Sequence, residues 1–167
     1  MGHEEHRATA PARVGVYVLT VSDTRTLPTD TGGAAVAALL EEAGHTVVAR
    51  DIVRDEPAEV RAKILEQLDN PAAQAIITTG GTGITARDTT FEAITALLEK
   101  RLDGFGELFR MLSYQEIGPA AMLSRACAGM ARRTIVIALP GSEHAVRLAM
   151  TKLVLPELGH LVREANR

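Results

Sequence analysis

The sequence predicts an α/β protein, a three-layer α/β/α sandwich with a mostly parallel sheet. Three short apolar segments, at 14–20, 74–79 and 134–139, are almost unbroken, as in parallel strands that are covered on both faces. Segments with helical spacing of apolar residues alternate with them along the chain. Because ligands of such folds bind at the carboxyl ends of the strands, the loops that follow these segments are the first place to look for a site.

The spacing of apolar residues and the helix-ending glycine and proline predict the helices and strands in the first half of the chain. After the strand at 14–20, a helical stripe is formed by Val36, Leu39, Leu40 and Ala43. Gly44 then follows as a helix C-cap residue. Residues 46–53 form the second predicted strand, and a helix with apolar residues four apart begins near Pro57.

The second half is placed in the same way. The third strand, 74–79, runs directly into a glycine-rich loop, and Thr89 with Glu92 has the spacing of a capping box at the next helix. A further helix opens near Gly104 and ends before Pro119, and segments 126–130 and 134–139 are predicted to pair as a hairpin. The last helix follows Ser142, and we expect Pro156 to interrupt it.

Length and composition indicate one domain, 13–167, after a flexible N-terminal tail at 1–12. With a formal net charge of −3 and a pI near 6.0, the protein has no net positive charge to attract nucleic acid or an anionic membrane. We therefore expect neither of these as a partner. The start of the chain lacks the apolar core of a signal peptide, and no apolar run approaches membrane-spanning length. The single cysteine, Cys127, excludes an internal disulfide. We therefore expect a cytoplasmic protein.

The loop Gly80-Gly81-Thr82-Gly83 is predicted to bind phosphate. Glycine tolerates positive φ, which turns several backbone amides toward one anion. A tight turn without a ligand is the alternative, and the loop alone does not decide between them. No lysine follows as in a P-loop, and Ala86 stands where a dinucleotide-binding loop needs glycine. Three Phe, two Tyr and no Trp argue against a stacked flavin.

Two aspartates, Asp55 and Asp88, lie in loops at the same predicted edge of the sheet. Carboxylates hold Mg²⁺, which bridges phosphate oxygens in phosphoryl and nucleotidyl transfer. The alternatives are that Asp55 only caps the helix after it and that Asp88 is a solvated loop residue. Both remain open from the sequence alone.

Several motifs in fixed order resemble one family. They are Leu19-Thr20-Val21-Ser22-Asp23, Asp55-Glu56, Thr78 to Gly83 with Arg87-Asp88, Gly104-Phe105-Gly106-Glu107, Leu123-Ser124-Arg125 and Leu139-Pro140-Gly141-Ser142. The sequence thereby resembles the MoaB/MogA family of molybdenum cofactor biosynthesis proteins, which includes the gephyrin G domain, and it looks closest to the B branch. The resemblance runs from about Val14 to about Leu161.

The resemblance implies an adenylyltransferase that binds molybdopterin and adenylylates its terminal phosphate with Mg-ATP, releasing pyrophosphate. The alternative is a molybdopterin-binding protein of the pathway without this activity. Asp55 and Asp88 match the catalytic, Mg²⁺-positioning acids. The resemblance assigns the ligand-binding positions to Ser22, Asp23, Thr79, Gly80, Gly81, Thr82, Gly83, Ser113, Ser124, Gly141 and Ser142. It also implies a homotrimer or homohexamer and contact with other enzymes of the pathway.

Overall fold

The computed structural model describes residues 2–167, apart from the side chains of His3 and His6. The strands are β1 (Gly15–Val21), β2 (Thr46–Val53), β3 (Ala75–Thr79), β4 (Lys100–Arg101), β5 (Cys127–Ala131) and β6 (Thr134–Leu139). The α-helices are α1 (His3–Ala8), α2 (Thr31–Glu42), α3 (Pro57–Leu68), α4 (Thr90–Thr95), α5 (Asp103–Ile117), α6 (Glu143–Ala149) and α7 (Leu155–Ala165). Short 3₁₀ turns occupy Leu27–Thr29 and Gly118–Leu123, and a π-helical turn occupies Met150–Val154.

The six strands form one sheet in the order β2-β1-β3-β6-β5-β4. Strands β2, β1, β3 and β6 are parallel, whereas β5 pairs antiparallel with β6 and β4 antiparallel with β5. The predicted α/β class with a mostly parallel sheet is confirmed, and so is the hairpin of β5 and β6. Strand β4 escaped prediction because two exposed residues carry no periodicity.

Helices cover both faces of the sheet and complete the three layers. Alternate residues of β1 point to opposite faces, so Val16 and Val18 join one core and Tyr17 and Leu19 the other. The first core is closed by residues of α2, α5, α6, the π-turn and α7. The second is closed by α3 and α4 through Val60, Ile64 and Ile94.

Pro156 does not interrupt the last helical segment, contrary to expectation. The chain passes from α6 through the π-turn Met150–Val154 into α7, and Pro156 lies in the first turn of α7. A proline is tolerated there because the amide that it lacks needs no partner within the helix. The wider turn before it absorbs the change of hydrogen-bond register.

The structure places helix α1 within the segment 1–12, where a loose tail was expected. Glu4 and Glu5 stand in its first turn, where negative charge is favourable. Arg7 forms an ion pair with Glu157 of α7, and the carbonyl of Pro11 lies against Gly159. The segment therefore lies along α7. Its mobility stays a prediction.

A buried carboxylate fixes the start of α2 to the sheet. Asp30 accepts hydrogen bonds from Thr20 Oγ1 at 2.6 Å, from the Gly33 amide at 3.0 Å and from Arg50 Nη2 at 2.9 Å. Burial alone would raise the pKa of Asp30, but these three donors together hold it below its ordinary value. Asp30 is therefore charged at neutral pH.

We expect Asp30→Ala to lower the free energy of unfolding by about 2–4 kcal/mol, because it removes the helix cap and leaves the Arg50 charge without its carboxylate partner. Since the folded-state pKa is depressed, the contribution is complete above the unfolded-state pKa and disappears as pH falls through the folded value. Urea unfolding at pH 7 and pH 3 measures both effects. Asp69→Ala is the control, because Asp69 is largely exposed and its carboxylate pairs with Arg132 at the surface. Equal losses in the two variants would contradict the assignment.

Candidate functional site

The loops that follow the four parallel strands meet at one edge of the sheet. The Ser22 amide, after β1, donates to Val53 O at the end of β2 (2.9 Å). The Gly80 amide, after β3, donates to Leu139 O at the end of β6 (3.0 Å). The predicted gathering of these loops is confirmed.

The glycine loop needs glycine for two separate reasons. Gly80 and Gly81 have φ of +95° and +70°, a region that side chains disfavour. In addition, a Cβ on Gly80 would overlap the carbonyl of Val21, and one on Gly81 would overlap Thr90 Oγ1 and lie 2.8 Å from Asp55 Oδ2. The glycine loop therefore packs closely against strand β1 of the sheet and against Asp55.

Three consecutive amides of the loop are available to a ligand. The backbone N–H groups of Gly81, Thr82 and Gly83 donate to no acceptor within residues 2–167. Main-chain donors rarely stay unsatisfied in a folded protein except where water or a ligand meets them. Successive free amides in a turn with positive φ form an anion-binding concavity.

Asp55 is buried and faces this loop. Its Oδ1 accepts from Thr89 Oγ1 at 2.8 Å and from the Thr89 amide at 3.3 Å. The N-cap residue of α3 is Glu56, so the alternative that Asp55 caps this helix is wrong. The capping box at α4 is absent too, because the Thr89 hydroxyl is used by Asp55 and Glu92 pairs with Arg125. Asp55 Oδ2 accepts no hydrogen bond from the described residues.

Asp88 lies on the other side of the loop and is half-buried. Its Oδ2 accepts from the Thr85 amide at 2.9 Å and from Thr85 Oγ1 at 2.6 Å, which closes the turn between them. The same oxygen would lie 2.7 Å from a Cβ on Gly83. Asp88 is therefore a hydrogen-bonded loop residue at the edge of the glycine loop, and its choice between a ligand-binding and a solvated loop role stays open.

Asp23 ties together the loops that carry the two acids. Arg87 donates to both of its oxygens at 3.0 Å and to Glu56 at 2.9 Å, and Asp23 Oδ1 also accepts from the Asp55 amide at 3.0 Å. The hydrogen bonds from Arg87 and from that amide lower the pKa of the exposed Asp23 carboxyl. Here Asp23 positions Asp55, and direct contact with a ligand stays a prediction.

A cavity of about 150 Å³ opens beside the glycine loop. Four of the predicted binding residues, Ser22, Thr79, Gly80 and Gly141, line it together with Thr20, Val21 and Arg25. Ser22 Oγ accepts from the amides of Thr24 and Arg25, which fixes the loop after β1. The structure therefore brings these four predicted residues to one place.

The other predicted binding residues have different surroundings. The Ser142 hydroxyl caps α6 by accepting from the Ala145 amide, and Ser113 is buried on α5. Ser124 lines a separate cavity of about 280 Å³ with Arg101, Arg110 and Arg125. Arg125 links that cavity to the glycine loop, donating to Gly83 O and Asp88 O, each at 2.9 Å. Contact of Thr82, Ser113, Ser124 and Ser142 with a ligand stays a prediction.

The residues present fit Mg²⁺ held jointly by protein and phosphate. Among the side chains that the structure describes, no group of three or more His, Cys, Asp or Glu is arranged to hold a metal. Mg²⁺ commonly takes one or two carboxylates and completes its shell with water and substrate phosphates. Asp55 Oδ2 and Asp88 Oδ1, which accept no hydrogen bond from described residues, would supply oxygen ligands of this kind, and the binding of Mg²⁺ stays a prediction.

Two residues of this region were missed in the sequence. Arg25 lines the cavity, although only its position after the first strand signalled it. Thr90 is fully buried under Gly81, its amide donates to Gly81 O, and its hydroxyl has no partner among the described residues. A threonine near a helix start resembles an ordinary capping residue, so local pattern does not mark it.

A search of the described helices finds none that is long and apolar enough to cross a membrane.

Comparison with known proteins identifies the family. Residues 17–160 match the model of a "Probable molybdopterin binding domain". The molybdenum cofactor biosynthesis protein B of Bacillus subtilis is 50% identical over 168 residues, covering 100% of this chain and 99% of that protein. A crystal structure of a molybdenum cofactor biosynthesis protein B has a TM-score of 0.91 at 50% identity, covering 95% of this chain and 99% of the other. The tungsten cofactor synthesizing protein MoaB of Pyrococcus furiosus has a TM-score of 0.84 at 36% identity, covering 95% of this chain and 100% of the other. The chain therefore belongs to the MoaB/MogA family of molybdenum cofactor biosynthesis proteins.

Proposed function

We propose that this protein binds molybdopterin and adenylylates its terminal phosphate with Mg-ATP, releasing pyrophosphate. The observation that carries the proposal is the glycine loop, whose three free amides lie between Asp55 and Asp88. Free amides suit the developing charge of a phosphoryl group, and the two carboxylates suit the cation that nucleotidyl transfer requires. Membership of a molybdopterin-binding family supports the pterin as acceptor.

In this reaction a phosphate oxygen of molybdopterin attacks the α-phosphorus of ATP. The new bond joins this oxygen to phosphorus, the bond from the α-phosphorus to the bridging oxygen breaks, and pyrophosphate leaves with the electron pair. The amides of Gly81, Thr82 and Gly83 stabilise negative charge on the non-bridging oxygens. Arg87 and Thr89 hold Asp23 and Asp55 in place, so the acids need little rearrangement during the reaction.

Asp55 and Asp88 would hold Mg²⁺. When bound, the ion neutralises charge on the ATP phosphates and favours departure of pyrophosphate. The protein's own part is to hold the two carboxylates beside Gly81 and Gly83 of the glycine loop.

A molybdopterin-binding protein without turnover is the second candidate. It is favoured by the hydrogen bonds that Asp88 Oδ2 accepts from Thr85. They leave Oδ1 as the one oxygen of Asp88 that accepts no hydrogen bond from the described residues, so Asp88 has less capacity to bind a metal ion. In that case the site binds the pterin phosphate, and the acids contribute little.

Incubation of the pure protein with molybdopterin, Mg-ATP and pyrophosphatase separates the two candidates. We expect adenylylated molybdopterin, identified by mass, together with phosphate from the hydrolysed pyrophosphate. Omission of Mg²⁺ and addition of EDTA serve as controls. If molybdopterin binds but no adenylylated product forms, the proposal of an adenylyltransferase is wrong and the proposal of a binding protein without turnover remains.

We also propose that the protein is a homo-oligomer, a trimer or a hexamer. Large apolar side chains are exposed at every third position of α5, a stripe that winds about halfway around the helix, and in the turn after it: Leu108, Met111, Tyr114, Ile117, Met122 and Leu123. Contiguous exposed apolar surface of this kind marks a protein interface. A second copy of the chain is the partner that family resemblance favours.

The double variant Tyr114→Glu/Ile117→Glu is expected to dissociate the oligomer, because burial of two carboxylates in an apolar interface is costly. Light scattering after size exclusion would show the mass of a single chain. Leu27→Glu, an exposed apolar position outside the stripe, is the matched control and should keep the parental mass. A double variant of unchanged mass would place the interface elsewhere.

A further inference from the structure

Arg25 has a guanidinium group with donors that the protein does not use. Nη1 donates to Gly141 O at 3.0 Å, whereas Nε and Nη2 donate to no acceptor within the described chain. The side chain is two-thirds buried, so these donors are only partly accessible to water. Because guanidinium presents its N–H groups in a rigid fork, a donor pair left open in this way suits two oxygens of one anion.

The local charge also favours an anion. The carboxylate nearest to Arg25 is Asp30, whose Oδ1 lies 3.9 Å from Nη1. Asp30 is already bound by Arg50, Thr20 and the Gly33 amide, so it compensates Arg25 only in part. Asp23, the acid nearest in sequence, is paired with Arg87 instead. Arg25 therefore carries an incompletely balanced positive charge at the wall of the cavity.

The volume of the cavity beside Gly80 limits the size of the ligand that it can hold. Pockets for drug-sized molecules enclose about 300–1,000 Å³, whereas this one encloses about 150 Å³. It is large enough for a phosphoryl group and too small for a whole pterin or nucleotide. Gly80 and Gly141 line it without side chains, and Ser22 contributes a hydroxyl.

We propose that Arg25 binds a phosphoryl group of a substrate in this cavity, on the Gly80 side of the loop. Asp55 and Asp88 lie on the Gly81 and Gly83 side, so the loop separates an arginine subsite from a carboxylate subsite. The identity of the substrate rests on the proposed function, but the binding of an anion by Arg25 does not. The phosphoryl group belongs either to the nucleotide or to molybdopterin.

Calorimetric titration with inorganic phosphate and with ADP, both without Mg²⁺, tests the subsite apart from catalysis. We expect Arg25→Gln to weaken binding of at least one of these probes about 10- to 100-fold, because a charge-assisted hydrogen-bond pair is lost. Arg25→Lys should retain part of the affinity, since it keeps the charge and loses the fork. Arg54→Gln is the matched control, because Arg54 is exposed and paired with Glu59.

Titration with molybdopterin distinguishes the two sources of the phosphoryl group. A loss for ADP without a loss for molybdopterin assigns the cavity to the nucleotide, and a loss for inorganic phosphate and molybdopterin without a loss for ADP assigns it to the pterin phosphate. Unchanged affinity of Arg25→Gln for every probe, with an unfolding midpoint like that of the parent, would overturn the proposal. Such a result would leave the adenylylation assay unaffected, and failure of that assay would leave the anion subsite intact.

Discussion

Asp55→Asn is expected to reduce the rate of molybdopterin adenylylation at least about 100-fold while the protein stays folded. Asparagine has the shape of aspartate and still accepts the hydrogen bond from Thr89, but it lacks the negative charge with which a carboxylate binds Mg²⁺. Molybdopterin affinity should change little, because the free amides of the loop remain. Single-turnover assays and pterin titration measure the two quantities separately.

The control for this prediction is Glu66→Gln. Glu66 is an exposed acid on α3 that pairs with Lys63, so the variant removes the same charge outside the site. Its rate should equal that of the parent. An Asp55→Asn protein with unchanged rate at saturating Mg²⁺ would remove Asp55 from the chemistry and favour a role in fixing the loops.

The second large effect is expected from Gly81→Ala. Alanine at φ +70° is strained, and its methyl group would overlap Thr90 Oγ1 and approach Asp55. We expect a loss of about 1–3 kcal/mol in the free energy of unfolding, together with loss of phosphate binding. Urea unfolding and phosphate titration measure both.

Two control glycines separate the causes of this effect. Gly44 has φ +89° with open space around its Cβ position, so Gly44→Ala carries the strain without the overlap. Gly104 has neither, so Gly104→Ala should be neutral or slightly stabilising. If overlap with the hydroxyl dominates, Thr90→Ala restores part of the stability in the Gly81→Ala background, and the double-mutant cycle shows coupling. Additive effects would exclude the Thr90 hydroxyl as the cause and leave backbone strain and the approach to Asp55 Oδ2.

The fold class and the meeting of the candidate-site loops at one edge of the sheet were predictable from the sequence. Buried parallel strands need apolar residues on both faces, so 14–20, 74–79 and 134–139 carried a local signal for them. The rule that loops meet at the carboxyl ends of parallel strands then brought Gly80 and Asp55 to one edge. Both inferences use only neighbouring residues and general topology.

The partners of the site's side chains were decided by the tertiary structure. Thr89 had the spacing of a helix cap, yet its hydroxyl binds Asp55, which is 34 positions away in the chain. Asp23 was assigned to ligand binding by resemblance, which stays a prediction, but its pairing with Arg87, 64 positions away, had no signal in the sequence. A hydrogen bond depends on which loops lie side by side, and periodicity carries no information about that.

The phosphate loop shows this division most clearly. The glycines at 80, 81 and 83 predicted a turn with positive φ, which glycine adopts without strain. Gly80 and Gly81 have it, whereas Gly83 does not. The packing of β1, β3 and β6 decides which loop amides stay free. It also brings Arg25 to the same edge of the sheet, where it donates to Gly141 O, 116 positions away in the chain. The sequence by itself therefore determined where the glycine loop and the two aspartates lie in the chain. The tertiary structure decided which donors remain for a ligand, because long-range hydrogen bonds use the others.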